Sequence, residues 1–278
     1  MFGDGAAYNP QTETWRQLAA APIDARWGHD AFWDGDEVVI VGGVGVTDGA
    51  AYDPATDRWR TLEAETPFEG VGWNVISAST EDELIVWEGR SGRMWSYSST
   101  DDEWAELPQL PMTINAGRVV HVGDQLVATG LPMPTEDQQV RTAVLAADRA
   151  EWRLVEELDG SMIGELDVAV LQGDAGNSVM MWGSASADAA WQLSSDFVWE
   201  STAGPGLTPC DGAPEIVQAG DQLIVRSLCD DGAVMRPRTT GGTWTPIDFD
   251  NDSDPAPVWT GSALVGLGFG GEIYTWSP

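Results

Sequence analysis

The sequence contains no lysine. All 13 of its basic side chains are arginine, set against 45 Asp and Glu, so the formal net charge is −32 and the isoelectric point is near 4.1. A chain of that charge is repelled by phosphate backbones and anionic lipid surfaces, which argues against nucleic acid or a membrane surface as partner. Long hydrophobic runs are missing as well. The strongest apolar runs, such as Val38-Val39-Ile40-Val41, fall far short of the roughly 20 residues that span a bilayer. Met1-Phe2-Gly3-Asp4-Gly5 is followed by neither a basic segment nor an apolar stretch of signal-peptide type. The chain is therefore expected to be cytosolic or to lack its true N-terminus. There are 2 Cys, 2 His and 4 Tyr. No zinc-ligand spacing, phosphate-binding glycine loop or Ser-His-Asp set is present.

Hydrophobic residues make up 42% of the 278, and 15 of them are Trp, so the chain is a folded one with a sizeable core. Acidic excess without lysine suits either a salt-adapted protein, whose carboxylate repulsion is screened, or an acidic secreted one.

One phrase recurs. Tyr8-Asn9-Pro10-Gln11-Thr12-Glu13-Thr14-Trp15 is echoed by Tyr52-Asp53-Pro54-Ala55-Thr56-Asp57-Arg58-Trp59 and by Tyr97 through Trp104. Weaker copies end at Trp152, Trp199 and Trp244. The six tryptophans lie 44, 45, 48, 47 and 45 residues apart. Counting from Trp244 to the C-terminus and on from Met1 to Trp15 gives 49, so the period closes on itself. Between these tryptophans, short apolar runs flank polar turns at 34–36, 80–82, 123–124, 173–176, 220–221 and 260–262. Gly-Asp and Asp-Gly turns between β-branched runs signal hairpins. A unit of about 45 residues with two hairpins, repeated six times, predicts a six-bladed β-propeller of four-stranded blades. The repeats run 21–65, 66–110, 111–158, 159–204 and 205–250. The last joins 251–278 to 1–20, so that terminal strands close the ring within one blade of a single domain, 1–278. Strands at 273–276 and 6–8 both read as third strands of that blade, which leaves one of them redundant.

Arg26-Trp27-Gly28-His29-Asp30-Ala31, then Val38 through Gly43, then Tyr52 to Trp59, resembles one complete repeat of the Kelch family. That family opens its inner strand with Arg, ends its second strand with a Gly pair and places Tyr and Trp in its outer strands. The other repeats are degenerate: single glycines stand at Gly89, Gly130 and Gly183, and Leu145 and Trp191 take the Tyr place. The resemblance implies that the periodic tryptophans and His29 are packing residues. Galactose oxidase has a Kelch-type propeller, but its copper site needs His, Tyr and Cys ligands that His29 and His121 alone do not supply. The sialidase pattern is equally unmatched. Asp248, Asp250, Asp252 and Asp254 alternate as calcium ligands do. An EF-hand would need Gly and Glu where Ser253 and Trp259 stand, so the run reads as an acidic connection between blades. No metal or other cofactor is expected.

In propellers, the residues opening the inner strands ring the channel mouth. Here they are Arg26, Trp27, Trp73, Asn74, Arg118 and Glu165, and arginines beside aromatics suit a carboxylate or a sugar. Cys210 and Cys229 are symmetric about residue 219.5, at a hairpin turn, which predicts a disulfide and an oxidising compartment. The reading is therefore a non-catalytic binding module, extracellular or at the cell surface. It is expected to be monomeric, with a protein or glycan ligand at the channel mouth. The alternative is a carbohydrate-active hydrolase, lyase or epimerase working at the same place.

Overall fold

The fold is all-β, a six-bladed propeller of antiparallel blades, seen in a computed structural model. The structure describes residues 5–68, 75–80, 82–88, 91–112, 116–131, 139–155, 157–159, 166–172, 177–183, 188–207, 215–226, 233–239, 241–247, 257–267 and 273–277. The chain packs as two compact units. The first comprises 1–113 with 148–151, and the second 114–147 with 152–278. Among the described residues no helix is long and apolar enough to cross a membrane.

In the first unit, strands Asp30–Trp33, Val38–Val41, Gly49–Asp53 and Arg58–Thr61 form one meander. Val75–Ser79, Glu83–Glu88, Met94–Ser98 and Glu103–Leu107 form the next. In the second unit, the third repeat builds Ala116–Val122, Gln125–Leu131, Gln139–Leu145 and Trp152–Leu154, with a short fifth strand, Leu158–Asp159, against Gln139 and Val140. The fourth and fifth repeats give Leu166–Leu171, Ser178–Gly183, Ala189–Leu193 and Trp199–Ala203, then Glu215–Ala219, Gln222–Arg226, Ala233–Pro237 and Thr245–Ile247. The second unit ends in a three-stranded sheet (Val258–Trp259, Leu264–Leu267, Ile273–Trp276), and the first unit begins with the hairpin Ala6–Asn9 with Thr14–Gln17. Trp276 pairs with Leu264 as Tyr52 pairs with Val38, while Tyr8 pairs with Trp15 as Tyr52 pairs with Trp59. Ile273–Trp276 and Ala6–Asn9 thus both carry third-strand register, each in its own sheet.

Burial is deepest in the second and third strands and least in the fourth. Leu84, Ile85, Val86 and Trp87 are all buried on both faces of one second strand, whereas Arg58–Thr61 and Thr14–Gln17 are largely exposed. A strand covered on both faces needs a continuous apolar run, which is why the second strands read Val-Val-Ile-Val and Leu-Ile-Val-Trp and do not alternate. Two hairpin turns explain their glycines. Gly123 (φ 61°) and Gly220 (φ 62°) follow the pairs that close each hairpin, Val122 with Gln125 and Ala219 with Gln222.

The recurring phrase is a turn between third and fourth strands. Asn9 Oδ1 accepts the N–H groups of Gln11 and Thr12, and Asp53 Oδ1 accepts those of Ala55 and Thr56. The chain then passes through a left-handed residue at Glu13, Asp57, Asp102, Arg149 and Phe197. Each Tyr lies against its Trp, with centroids 5.1 Å apart in Tyr8–Trp15, 4.9 Å in Tyr52–Trp59 and 5.1 Å in Tyr97–Trp104. The register corrects one assignment. Leu193, not Trp191, faces Trp199, because Trp191 pairs with Ser201. In the fifth repeat the residue over the tryptophan is Arg236, its guanidinium 5.3 Å from the Trp244 ring centre.

These turns also tie repeat to repeat. Asp57 accepts the Tyr52 hydroxyl at 2.6 Å and the Ala19 N–H at 3.2 Å, while the Trp59 indole donates to the Ala19 carbonyl at 2.8 Å. Asp102 likewise accepts from Tyr97 (2.8 Å) and from the Glu63 N–H (2.7 Å), and Trp244 donates to the Ala203 carbonyl (3.0 Å). In each case the clasped residue stands four places after the preceding repeat's tryptophan.

Candidate functional site

Arg26 is held inside the first repeat. Its Nε donates to the Asp24 carbonyl at 3.0 Å. Nη1 donates to the carbonyls of Gly42 (3.1 Å) and Asp48 (2.9 Å) and to Asp48 Oδ1 (2.8 Å), and Nη2 donates to Asp48 Oδ2 (3.0 Å). The side chain is only 7% exposed, and the hydrogen bonds from Arg26 hold the Asp48 carboxyl below its usual range. The Gly pair makes room for this arrangement. Gly43 sits at φ 139°, and a Cβ there would press on Arg26 Cβ at 3.3 Å. Every nitrogen of this guanidinium is thus engaged by the protein itself.

Trp27 is different. Its ring is 50% exposed, and its carbonyl accepts the Val44 N–H at 3.0 Å. Val44 is itself 41% exposed, so an aromatic and an aliphatic side chain stand out together beside the clamped Arg26. His29 is exposed too. Trp73 and Asn74 lie outside the described residues, as do Glu165, Cys210, Cys229 and the aspartates at 248–254. The hairpin between the cysteines turns about 220.5, halfway between the paired Ala219 and Gln222, one residue beyond the cysteines' own midpoint. Direct opposition across that hairpin therefore does not follow from its register.

Arg118 belongs to the second unit. Its Nε donates to Asp167 Oδ1 at 2.8 Å and its Nη1 to the Gly117 carbonyl at 3.0 Å. Asp167 also accepts the N–H of Val168 (2.9 Å) on Oδ1 and that of Ile216 (3.0 Å) on Oδ2, so one carboxylate joins the inner strands of three consecutive repeats. Glu215 pairs with the deeply buried Arg226. Sequence reading missed Asp48 and Asp167. Among 45 acids no spacing singles either out, and only the fold brings them to an arginine.

The register makes five of these positions equivalent. Asp30 faces Val41, Ile76 faces Trp87, Arg118 faces Thr129, Asp167 faces Trp182 and Glu215 faces Arg226. Four of the five carry an ionisable group at the same level of the inner strand. Burial raises the Asp30 carboxyl above its usual range, opposed by the hydrogen bond that Ser77 Oγ donates to Oδ1 at 2.6 Å and by the charge of His29. Arg236 is the one buried guanidinium of the fifth repeat's outer strands, 3% exposed. It donates to the carbonyls of Pro237 and Thr239 and to the Met180 sulfur, and burial lowers its pKa from the ordinary arginine value. Among the described residues no group of three or more His, Cys, Asp or Glu is placed to hold a metal ion. No protein-family model matches the chain, and no match is found among curated proteins.

Proposed function

We propose that the chain is a non-catalytic interaction module of the Kelch-propeller type. The observation that carries this reading is Trp27, half-exposed beside Val44 on a segment that Arg26 anchors through Asp24, Gly42 and Asp48. An aromatic face held on a rigid strand end presents contact area at little cost in lost side-chain freedom, and it suits the apolar face of a sugar ring or an aliphatic patch of a protein. Kelch membership is supported by the first repeat, in which Arg26, Gly42-Gly43, Tyr52 and Trp59 each have a distinct packing role. Arg26 serves this module as scaffold and not as a contact. A monomeric, exported protein is the context we assign it, with Cys210 and Cys229 as its disulfide. Peptide mapping of the non-reduced protein should recover those two cysteines linked, and free thiols from oxidising expression would remove the case for export.

The functional test is a screen of immobilised glycans and proteins. A ligand should be found and recovered chemically unchanged, and Trp27→Ala should weaken its binding while the melting temperature stays within a few degrees. Turnover of the ligand, or binding indifferent to Trp27→Ala, overturns the reading.

A further inference from the structure

Asp30 and Asp167 occupy the same register position in two repeats, yet their carboxylates are served very differently. Asp167 accepts three hydrogen bonds, from Arg118 Nε, Val168 N and Ile216 N, with both oxygens engaged. Asp30 Oδ1 accepts a single bond across to the second repeat, from Ser77 Oγ at 2.6 Å, and Oδ2 is buried with no hydrogen-bond partner. A buried carboxylate oxygen without a donor has lost its water and gained nothing in return, a situation that native structures avoid unless the group has another state to occupy. Protonation supplies that state, because the neutral acid carries no charge to desolvate. The Ser77 hydroxyl can still donate to Oδ1 when the proton sits on Oδ2.

We propose that Asp30 is a proton-sensitive element of the junction between the inner strands of the first and second repeats: a proton on its buried, unpartnered Oδ2 removes the cost of a desolvated charge and stabilises the fold. Among the described residues, the surroundings are sparse in compensating charge. Just before its strand stands the neighbouring titratable group, His29, which favours the ionised form. The cross-strand neighbour is Val41, and the facing strand contributes Ser77, which does not titrate in this range. The raised proton affinity produced by burial agrees with this geometry. The sign follows from linkage. In the interval between the ordinary carboxylate pKa and the raised folded value, the folded state binds more protons than the unfolded one. Asp30 therefore adds stability as pH falls through that interval and withdraws it as pH rises.

The test is a carboxyl ¹³C titration of the intact chain together with thermal melts of variants at neutral and mildly acidic pH. Asp30 should titrate above the ordinary carboxylate range. Asp30→Asn should melt at or above the native chain at pH 7 and rise less on acidification. Asp36→Asn, on an exposed turn, removes the same charge and serves as the control for overall repulsion. Hydrogen-exchange protection of Val75–Ser79, taken relative to the intrinsic rate at each pH, should rise with acidification in the native chain and not in Asp30→Asn. An Asp30 signal titrating in the ordinary range overturns the proposal, as does an acid response of Asp30→Asn equal to that of Asp36→Asn.

Discussion

Arg26 and Asp48 meet end to end, both terminal guanidinium nitrogens on both carboxylate oxygens at 2.8 and 3.0 Å. The arginine is buried and the aspartate half-exposed. The pair fastens the start of the first repeat's inner strand to the loop beyond its Gly pair, the segment from which Trp27 and Val44 project. Removing the arginine takes the Nη1 donor from the Gly42 carbonyl and leaves the Asp48 carbonyl with the Gly42 N–H alone. Arg26→Ala should cost about 2 kcal/mol or more of folding stability, read from urea unfolding, and Arg26→Lys should not restore it, because an ammonium cannot satisfy both oxygens and the carbonyls from one plane. An Arg26→Ala variant of native stability would show that the clamp contributes nothing.

Tyr97 should resist ionisation. Its ring is fully buried, and burial first, then the hydrogen bond to Asp102, raise its pKa far above the ordinary phenol value. The folded state therefore holds this proton where the unfolded state releases it. Stability attributable to Tyr97 is complete below pH about 10 and falls as pH rises beyond it. Ultraviolet titration should show Tyr97 ionising only as the protein unfolds, and Tyr97→Phe should lessen the alkaline loss of stability. Phenolate absorbance at Tyr97 in a still-folded protein would refute this.

The net charge of −32 predicts a melting temperature that rises with sodium chloride to molar concentrations. Self-repulsion fades as the screening length falls from about 10 Å at 0.1 M to about 3 Å at 1 M. A flat response would mean that local pairs such as Arg60–Glu37 and Arg149–Glu83 already balance the carboxylates.

Arg236 stands where the third and fourth repeats place Leu145 and Leu193 against their tryptophans. Its guanidinium is buried among carbonyls, a thioether and the Trp244 face, with no carboxylate paired to it among the described residues. An apolar side chain of similar reach escapes the cost of desolvating a charge. Arg236→Met should therefore match or exceed native stability in thermal melts, and a drop of several degrees would show that the cation–aromatic contact outweighs that cost.

Much of the fold was legible because its signals are local and repeated. Gly-Asp turns, β-branched runs and a tryptophan every 44 to 48 residues each report on their own repeat, and together they fix the number of blades. What escaped was set by partners distant in sequence. The register that puts Leu193 and not Trp191 against Trp199 depends on the length of one turn. The engagement of Arg118 depends on Asp167, 49 residues away and one acid among 45. The arginines marked out for ligand binding were recognisable as positions on the inner strands, but only three-dimensional neighbours reveal that Arg26 is consumed by its own repeat and that Trp27, beside it, is the exposed one.

The clasp of Trp59 and Asp57 on Ala19, repeated by Asp102 on Glu63 and by Trp244 on Ala203, always reaches backward along the chain. A ribosome delivers the clasped residue about 40 positions before the residues that secure it. At these three junctions the last strand of a blade therefore leaves the exit tunnel before the residues that secure it, and its clasp closes only when the next turn has been made.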